Sequence, residues 1–285
     1  MSFAASTERG VPAGFDPSLL RKLEVLEATL SDLGSMVVAF SGGVDSTFLL
    51  RVVSGVRGLR YVALTTASPT NTSAEIAEAR ELAEHFGASH RVVAVDELET
   101  PGYAENPVNR CYLCKQTLYP LCLQEATEQG LAWVVDGVNI DDLGDYRPGL
   151  VAAAEMGVRH PLVDAKLTKA EIRALSKHFG LPTADKPASP CLSSRFPYGT
   201  RITHERLQQV ARAEAGLRGL GFRELRVRHL GDSARVEVSA AEHERLANSQ
   251  LRSDIVALVH AAGFRAVEIS ATPLRSGSLN DALSR

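Results

Sequence analysis

No apolar run in this chain approaches the roughly 20 residues that a membrane-spanning helix needs. The N-terminus also lacks the charged-then-apolar order of a secretory signal, so the expected compartment is the cytoplasm, with no membrane partner. A basic excess is missing too. Thirty-one Lys and Arg against 34 Asp and Glu leave a net charge of −3, which argues against general nucleic-acid binding. Cysteine is scarce, at four in 285 residues, and in a cytosolic chain that usage points to free thiols, metal ligands or catalysis before disulfides. What remains is a globular composition, 45% hydrophobic and 23% charged, long enough for one large or two ordinary domains.

One further absence is local. The run Ala39-Phe40-Ser41-Gly42-Gly43-Val44-Asp45-Ser46-Thr47 contains no lysine, which excludes a Walker A loop. It closes an apolar, strand-like segment, Met36 to Phe40, and opens a helix-like one, Ser46 to Val53. Two glycines permit positive φ, so successive N–H groups can converge on an anion. The helix start adds unpaired N–H groups and partial positive charge. Ser41, Ser46 and Thr47 can supply hydroxyl donors, and Asp45 can hold a magnesium ion. The plainer reading is a Gly-Gly turn with ordinary caps. Six matched positions at a strand-to-helix junction outweigh it, and the run resembles the S-G-G-x-D-S signature of the PP-loop ATP pyrophosphatases.

The pattern around this run is that of an α/β sheet. Residues 1–16 read as a mobile lead, and Leu19 to Leu33 as an amphipathic helix with Leu20, Leu23, Leu26, Leu30 and Leu33 along one side. Strands follow at Tyr61–Thr65, Arg91–Val95 and Trp133–Val135. Capping boxes at Thr72/Glu75 and Thr168/Glu171 open helices. Strands alternating with helices indicate a parallel sheet covered on both faces, with ligand bound at its carboxyl edge. Asp136 and Gly137, at the end of the fourth strand, are therefore assigned to the ATP site beside Ser41–Thr47. Residues 17–188 are read as the nucleotide domain and 189–202 as a functional junction loop. Residues 203–285 then form a smaller α+β unit for substrate binding and oligomerisation: a helix at Thr203–Leu220, paired strands at Leu225–His229 and Ala234–Val238, two further helices, and a strand at Ala266–Ile269.

The second chemical motif is Arg110-Cys111-Tyr112-Leu113-Cys114-Lys115. Cysteines three apart can face one metal or cluster, and the flanking Arg110 and Lys115 favour thiolate. Cys191 is the natural third ligand, whereas Cys122, between two leucines, reads as a buried structural thiol. Structural zinc takes four protein ligands and no fourth stands out; three suit a [4Fe-4S] cluster with one open iron. Arg195 can grip a phosphate or carboxylate in bidentate fashion. Arg226 and Arg228 share one strand face and can grip one anion, unless they belong to a solvated face of surface ion pairs. Asn139, Asp141, Asp142, Asp145 and Arg147 crowd the end of the fourth strand, where one carboxylate could be a second magnesium ligand.

Taken together, Ser41 to Thr47, Asp145-Tyr146-Arg147-Pro148-Gly149-Leu150, Ser193-Ser194-Arg195-Phe196-Pro197-Tyr198-Gly199-Thr200 and Arg226-Val227-Arg228 resemble the LarE-type ATP-dependent sulfur transferases. The resemblance covers nearly the whole chain after residue 20. It implies a PP-loop (adenine nucleotide α-hydrolase-like) fold and adenylation of a carboxylate of pyridinium-3,5-biscarboxylic acid mononucleotide, for nickel-pincer nucleotide synthesis. ATP and Mg2+ are then required, and a thiocarboxylate results. It further implies substrate contacts from Arg226, Arg228, Arg147 and Tyr198, roles for Cys191, Glu214 and Arg195 in catalysis, and a homo-oligomer, possible trimers included. Some members sacrifice a loop cysteine, which becomes dehydroalanine; three-cysteine members carry a [4Fe-4S] cluster. Cys111, Cys114 and Cys191 place this sequence with the second kind. An amide-forming PP-loop synthetase, a tRNA thiolase and a non-enzymatic nucleotide sensor are the competing expectations. The first gives no reason for the three cysteines, and the second is disfavoured by the net charge.

Overall fold

The computed structural model describes residues 16–144 and 147–275, together with 277 and 279. The expected lead lies outside the described residues except for Asp16, as do Asp145 and Tyr146. Asp16 caps the first helix, α1 (Pro17–Leu33), by accepting from the Ser18 N–H at 2.8 Å. Leu26 and Leu30 are buried as the leucine stripe predicts, with Leu19 as a third anchor.

Next come β1 (Ser35–Ala39), α2 (Val44–Gly55), β2 (Arg60–Ala67), α3 (Ser73–His85), β3 (His90–Ala94), α4 (Arg110–Gln129) and β4 (Trp133–Val135). The four strands form one parallel sheet in the order β3-β2-β1-β4. Period-two alternation along β1 divides its side chains between two cores. Met36 and Val38 pack under α2 with Phe48, Leu49 and Leu50, whereas Val37 and Ala39 meet Tyr119, Cys122 and Ala126 of α4. A strand apolar on both faces must be central, and β1 is. Its neighbours β2 and β4 lie on opposite sides, so a crevice opens at the carboxyl ends of β1 and β4, where such sheets bind ligands.

The helices α5 (Pro148–Glu155), α6 (Pro161–Asp164) and α7 (Lys169–His178) complete this layer. Both expected capping boxes are present: Thr72 with Glu75 opens α3, and Thr168 with Glu171 opens α7. The sequence reading gave no helix for α4, although it spans 20 residues. Its polar residues are spread round the cylinder and Pro120 sits inside it, so the apolar 3.6 period that reveals a helix is weak.

The C-terminal layer contains α8 (His204–Gly219), β5 (Leu225–Leu230), β6 (Ser233–Val238), α9 (Ala240–His243), α10 (Ser249–Ala261) and β7 (Ala266–Ile269). Here β5 and β6 are antiparallel and β7 joins β6 in parallel. Its core includes Val210, Leu217, Val227, Val236, Ile255 and Phe264, and it also takes in Tyr103, Leu192 and Phe196 from earlier in the chain. The loop holding Cys191 is therefore packed into this second core. Among the described residues no helix is long and apolar enough to cross a membrane.

His229 lies in that core, stacked on Phe196 at 4.9 Å and edge-on to Phe264 at 5.4 Å. Its Nδ1 is buried with no partner among the described residues. Burial, helped by Arg206, holds its pKa below the ordinary histidine value. The unfolded chain therefore binds a proton more readily than the folded one, and stability falls as pH drops below about 6.5. Urea titrations from pH 7.5 to 5 should show this acid-side slope flattened in His229→Leu relative to the wild type.

Candidate active site

The Ser41–Thr47 run forms a tight loop between β1 and α2. Gly42 has φ +68°, and a Cβ there would stand 3.2 Å from the Ala79 Cβ, so both conformation and space favour glycine. Hydroxyls brace the loop from within: Ser41 Oγ lies 3.0 Å from Ser46 Oγ and accepts from the Gly43 N–H at 3.3 Å. No side chain caps the start of α2 at Gly43, which leaves its first N–H groups facing the crevice as an anion site.

Asp45 sits in the first turn of α2. Its Oδ2 accepts from Lys169 Nζ at 2.5 Å, while Oδ1 is buried without a partner among the described residues, as is the Thr47 hydroxyl. Burial pushes the Asp45 carboxyl up against the pull of Lys169. An orphaned carboxylate oxygen beside an open helix start is a donor set that fits a hard divalent cation. Lys186 reaches the same loop, donating to the Gly42 carbonyl at 3.1 Å and to Glu78 at 2.7 Å. The sequence reading assigned neither lysine. Lys169 was hidden inside a capping box, and Lys186 between Asp185 and Pro187 in a loop that breaks the α/β rhythm.

Gly137 and Asp136 occupy the end of β4 as expected, but the structure gives them different work. A Cβ on Gly137 would fall 2.9 Å from the Ser46 backbone nitrogen, so the β4 loop is pressed directly on the start of α2. The Asp136 carboxylate is already engaged, accepting from Tyr119 Oη at 2.7 Å and the Val138 N–H at 3.1 Å and pairing with His160 Nδ1 at 2.7 Å. Burial alone would raise Asp136, yet the bonds from His160 and Tyr119 outweigh it and hold the carboxyl low, with His160 held high in return.

Cys111 and Cys114 lie on the first turns of α4, and Cys191 in the loop before a short 3-10 turn, Leu192–Arg195. The charge of Cys191 acts on both Cys111 and Cys114, and that of Cys111 on Cys114, whereas Cys122 is buried in the core between α4 and the sheet. Here one expectation is corrected. Desolvation and the charge of Cys191 raise the Cys111 thiol against Arg110 and Lys115, although its side chain reaches the surface, and burial pushes Cys114 up to about 12 against Lys115. The segments are stitched together by the Tyr103 hydroxyl, 2.9 Å from Ser193 Oγ, by Asn106 donating to the Pro197 carbonyl at 2.7 Å, and by Arg110 donating to the Ser193 carbonyl at 3.1 Å.

Arg195 and Glu214 form one buried pair. Arg195 Nε donates to Glu214 Oε1 at 2.8 Å and Nη2 to Oε2 at 3.1 Å. Glu214 is fully buried and also accepts from the Val227 N–H and from Arg218. The free Nη1 of Arg195 reaches the carbonyls of Pro190 (2.6 Å) and Cys191 (3.3 Å). Arg226 and Arg228 are both buried, so the solvated-face reading does not hold. Arg228 is bonded to Glu237 and the Ser194 carbonyl. Among the described residues Arg226 has no hydrogen bond or ion pair, and burial with the charges of Arg228 and Arg195 lowers it to about 10. Arg147 pairs with Asp142 at 2.7 Å, and Tyr198 lies 6.0 Å beneath the Arg110 guanidinium.

A parallel sheet whose first strand ends in this loop, at the topological switch point, defines an ATP-binding domain of the PP-loop class. The Asparagine synthase family profile matches residues 26–113. Pyridinium-3,5-bisthiocarboxylic acid mononucleotide synthase of Lactiplantibacillus plantarum is 38% identical over 94% of this chain and 97% of its own. An uncharacterised protein of Synechocystis sp. is 42% identical over 93% of this chain and 98% of its own, and another, of Methanocaldococcus jannaschii, is 28% identical over 77% and 84%. The chain belongs to the family of the Lactiplantibacillus synthase, the LarE-type PP-loop enzymes.

Two outcomes follow from this geometry. Gly137→Ala should weaken ATP binding about tenfold or more in calorimetry with circular dichroism unchanged, because the added methyl displaces the start of α2. Arg195→Met strands a buried carboxylate, and urea unfolding should show a loss of about 3–5 kcal/mol, with Glu214→Gln losing less.

Proposed function

We propose that this chain is an ATP-dependent sulfur transferase acting on pyridinium-3,5-biscarboxylic acid mononucleotide. A substrate carboxylate oxygen attacks the α-phosphorus of ATP and pyrophosphate leaves; a sulfur nucleophile then adds to the acyl carbon and AMP leaves, giving a thiocarboxylate. The single observation that carries this reading is the presence of two chemistries in one chain. A loop suited to ATP sits at the switch point, and the charge of Cys191 reaches both Cys111 and Cys114 at the start of α4. Adenylation is needed because a carboxylate is a poor electrophile. The open N–H groups of α2 and a magnesium ion on Asp45 would offset the charge gathering on the phosphates.

Arg226, which has no hydrogen bond or ion pair among the described residues and lies beside Arg228, suits an anionic group of the substrate, with Arg147 and Tyr198 contributing from other loops. Arg195 and Glu214 act as positioning residues, setting the backbone of Cys191. Cys111, Cys114 and Cys191 would hold a [4Fe-4S] cluster. Among the described residues no group of three or more His, Cys, Asp or Glu is placed to hold a metal ion, so the cluster reading rests on the three cysteines and on the family resemblance. Bound there, it would offer one iron without a protein ligand as a seat for inorganic sulfide. We place the chain in a homo-oligomer, trimers included, which light scattering would test.

The deciding experiment is pyrophosphate release, dependent on the pyridinium mononucleotide, from anaerobically purified protein, with iron and sulfide analysis and intact mass before and after turnover. Expected are iron and sulfide bound in the wild type, lost in Cys111→Ala, Cys114→Ala and Cys191→Ala singly, and an unchanged protein mass after turnover. Iron-free protein that turns Cys191 into dehydroalanine would replace this route with the sacrificial one.

A further inference from the structure

Lys169 is the first residue of α7, and it is fixed at both ends. Its backbone N–H donates to Asp141 Oδ2 at 2.8 Å, tying its root to the loop after β4. Its ammonium donates to Asp45 Oδ2 at 2.5 Å, across 124 residues of sequence. The partner is the carboxylate whose other oxygen is buried with no hydrogen-bond partner among the described residues. Nearby Asp142 adds negative charge at Asp45, although Asp142 is itself paired with Arg147.

Lys169 holds Oδ2 and leaves Oδ1 open, so a divalent cation seated on Asp45 would compete with the lysine for the charge of one carboxylate. Without Lys169, a largely buried Asp45 would meet the charge of Asp142 with Arg173 as the remaining cation acting on it. A lysine suits an exchangeable role, being a point charge on a flexible four-carbon stem. Lys169 is also one-third exposed, so its ammonium has room to turn.

We propose that Lys169 is a built-in counter-ion for Asp45, occupying the carboxylate when nucleotide is absent. It yields that place to the divalent cation and turns to the phosphates when metal–ATP binds. This rests on the ATP reading of the Ser41–Thr47 loop.

The test is Mn2+ binding followed by electron paramagnetic resonance, with and without a non-hydrolysable ATP analogue. Without nucleotide, Lys169→Met should bind Mn2+ about tenfold tighter than the wild type, because its competitor for Asp45 is gone. Lys169→Arg, which keeps the charge, should bind as the wild type does, and Asp45→Asn combined with Lys169→Met should abolish the gain. With the analogue present the order reverses, and Lys169→Met should hold metal–nucleotide about tenfold more weakly. The side chain takes no part in the α7 capping box, and thermal melts of each variant confirm folding. Equal Mn2+ affinities of wild type and Lys169→Met without nucleotide, in proteins that still bind the analogue, overturn the role of Lys169 alone. A wild type that binds neither metal nor analogue overturns the ATP reading with it.

Discussion

Glu214 is a carboxylate with no exposure to water, and a buried charge is tolerable only when paired and hydrogen-bonded. That requirement organises the sulfur side of the molecule. Arg195 supplies the neutralising charge through two bonds and is thereby immobilised, with Nη1 left to take the carbonyls of Pro190 and Cys191. The backbone at Cys191 is thus set by a carboxylate on α8, in the C-terminal layer. Leu192 and Phe196, on either side of Arg195, reinforce this by entering the same core.

The other two thiols belong to the opposite body. They open α4, whose Tyr119 bonds Asp136 at the end of β4, next to the glycine that presses on α2. The thiol trio is therefore assembled from two layers, one anchored to the nucleotide sheet and one to the C-terminal core. Tyr103, Asn106 and Arg110 close the seam by bonding to Ser193 and Pro197. Arg110 is almost wholly buried, so it serves as a structural pin as well as a charge beside the thiols.

Much of this was legible in the sequence because local rules and tertiary demands agree there. The loop at Ser41–Thr47, the strand Trp133–Val135 and both capping boxes follow from residue type and spacing alone. The helix α4 was not legible, since its stability comes from packing Tyr119, Cys122 and Ala126 against the sheet and not from an apolar stripe. The thiol pKa values went the other way from expectation for a related reason. Arg110 and Lys115 adjoin the cysteines in sequence, but desolvation depends on what folds over them, and burial outweighs those charges. The partner of Asp45 was equally hidden, since no local spacing relates it to a lysine 124 positions later.

The distribution of unmet polar groups separates support from contact. Native interiors leave few buried polar atoms without partners, and each exception needs a reason. In the described residues Asp136, Glu214 and Arg195 are saturated, so they have little left to offer a ligand. Among the described residues Asp45 Oδ1 and Thr47 Oγ1, on the first turn of α2, are buried without a partner, but so are Glu97 Oε2, Ser176 Oγ, Thr183 Oγ1 and His229 Nδ1. An orphaned polar atom is therefore not by itself a ligand site, and Asp45 and Thr47 stand apart because both belong to the glycine loop at the switch point. On that physical ground we propose that Asp45 and Thr47, with Arg226 on β5, touch ligands, and that Asp136, Glu214 and Arg195 hold the walls in place.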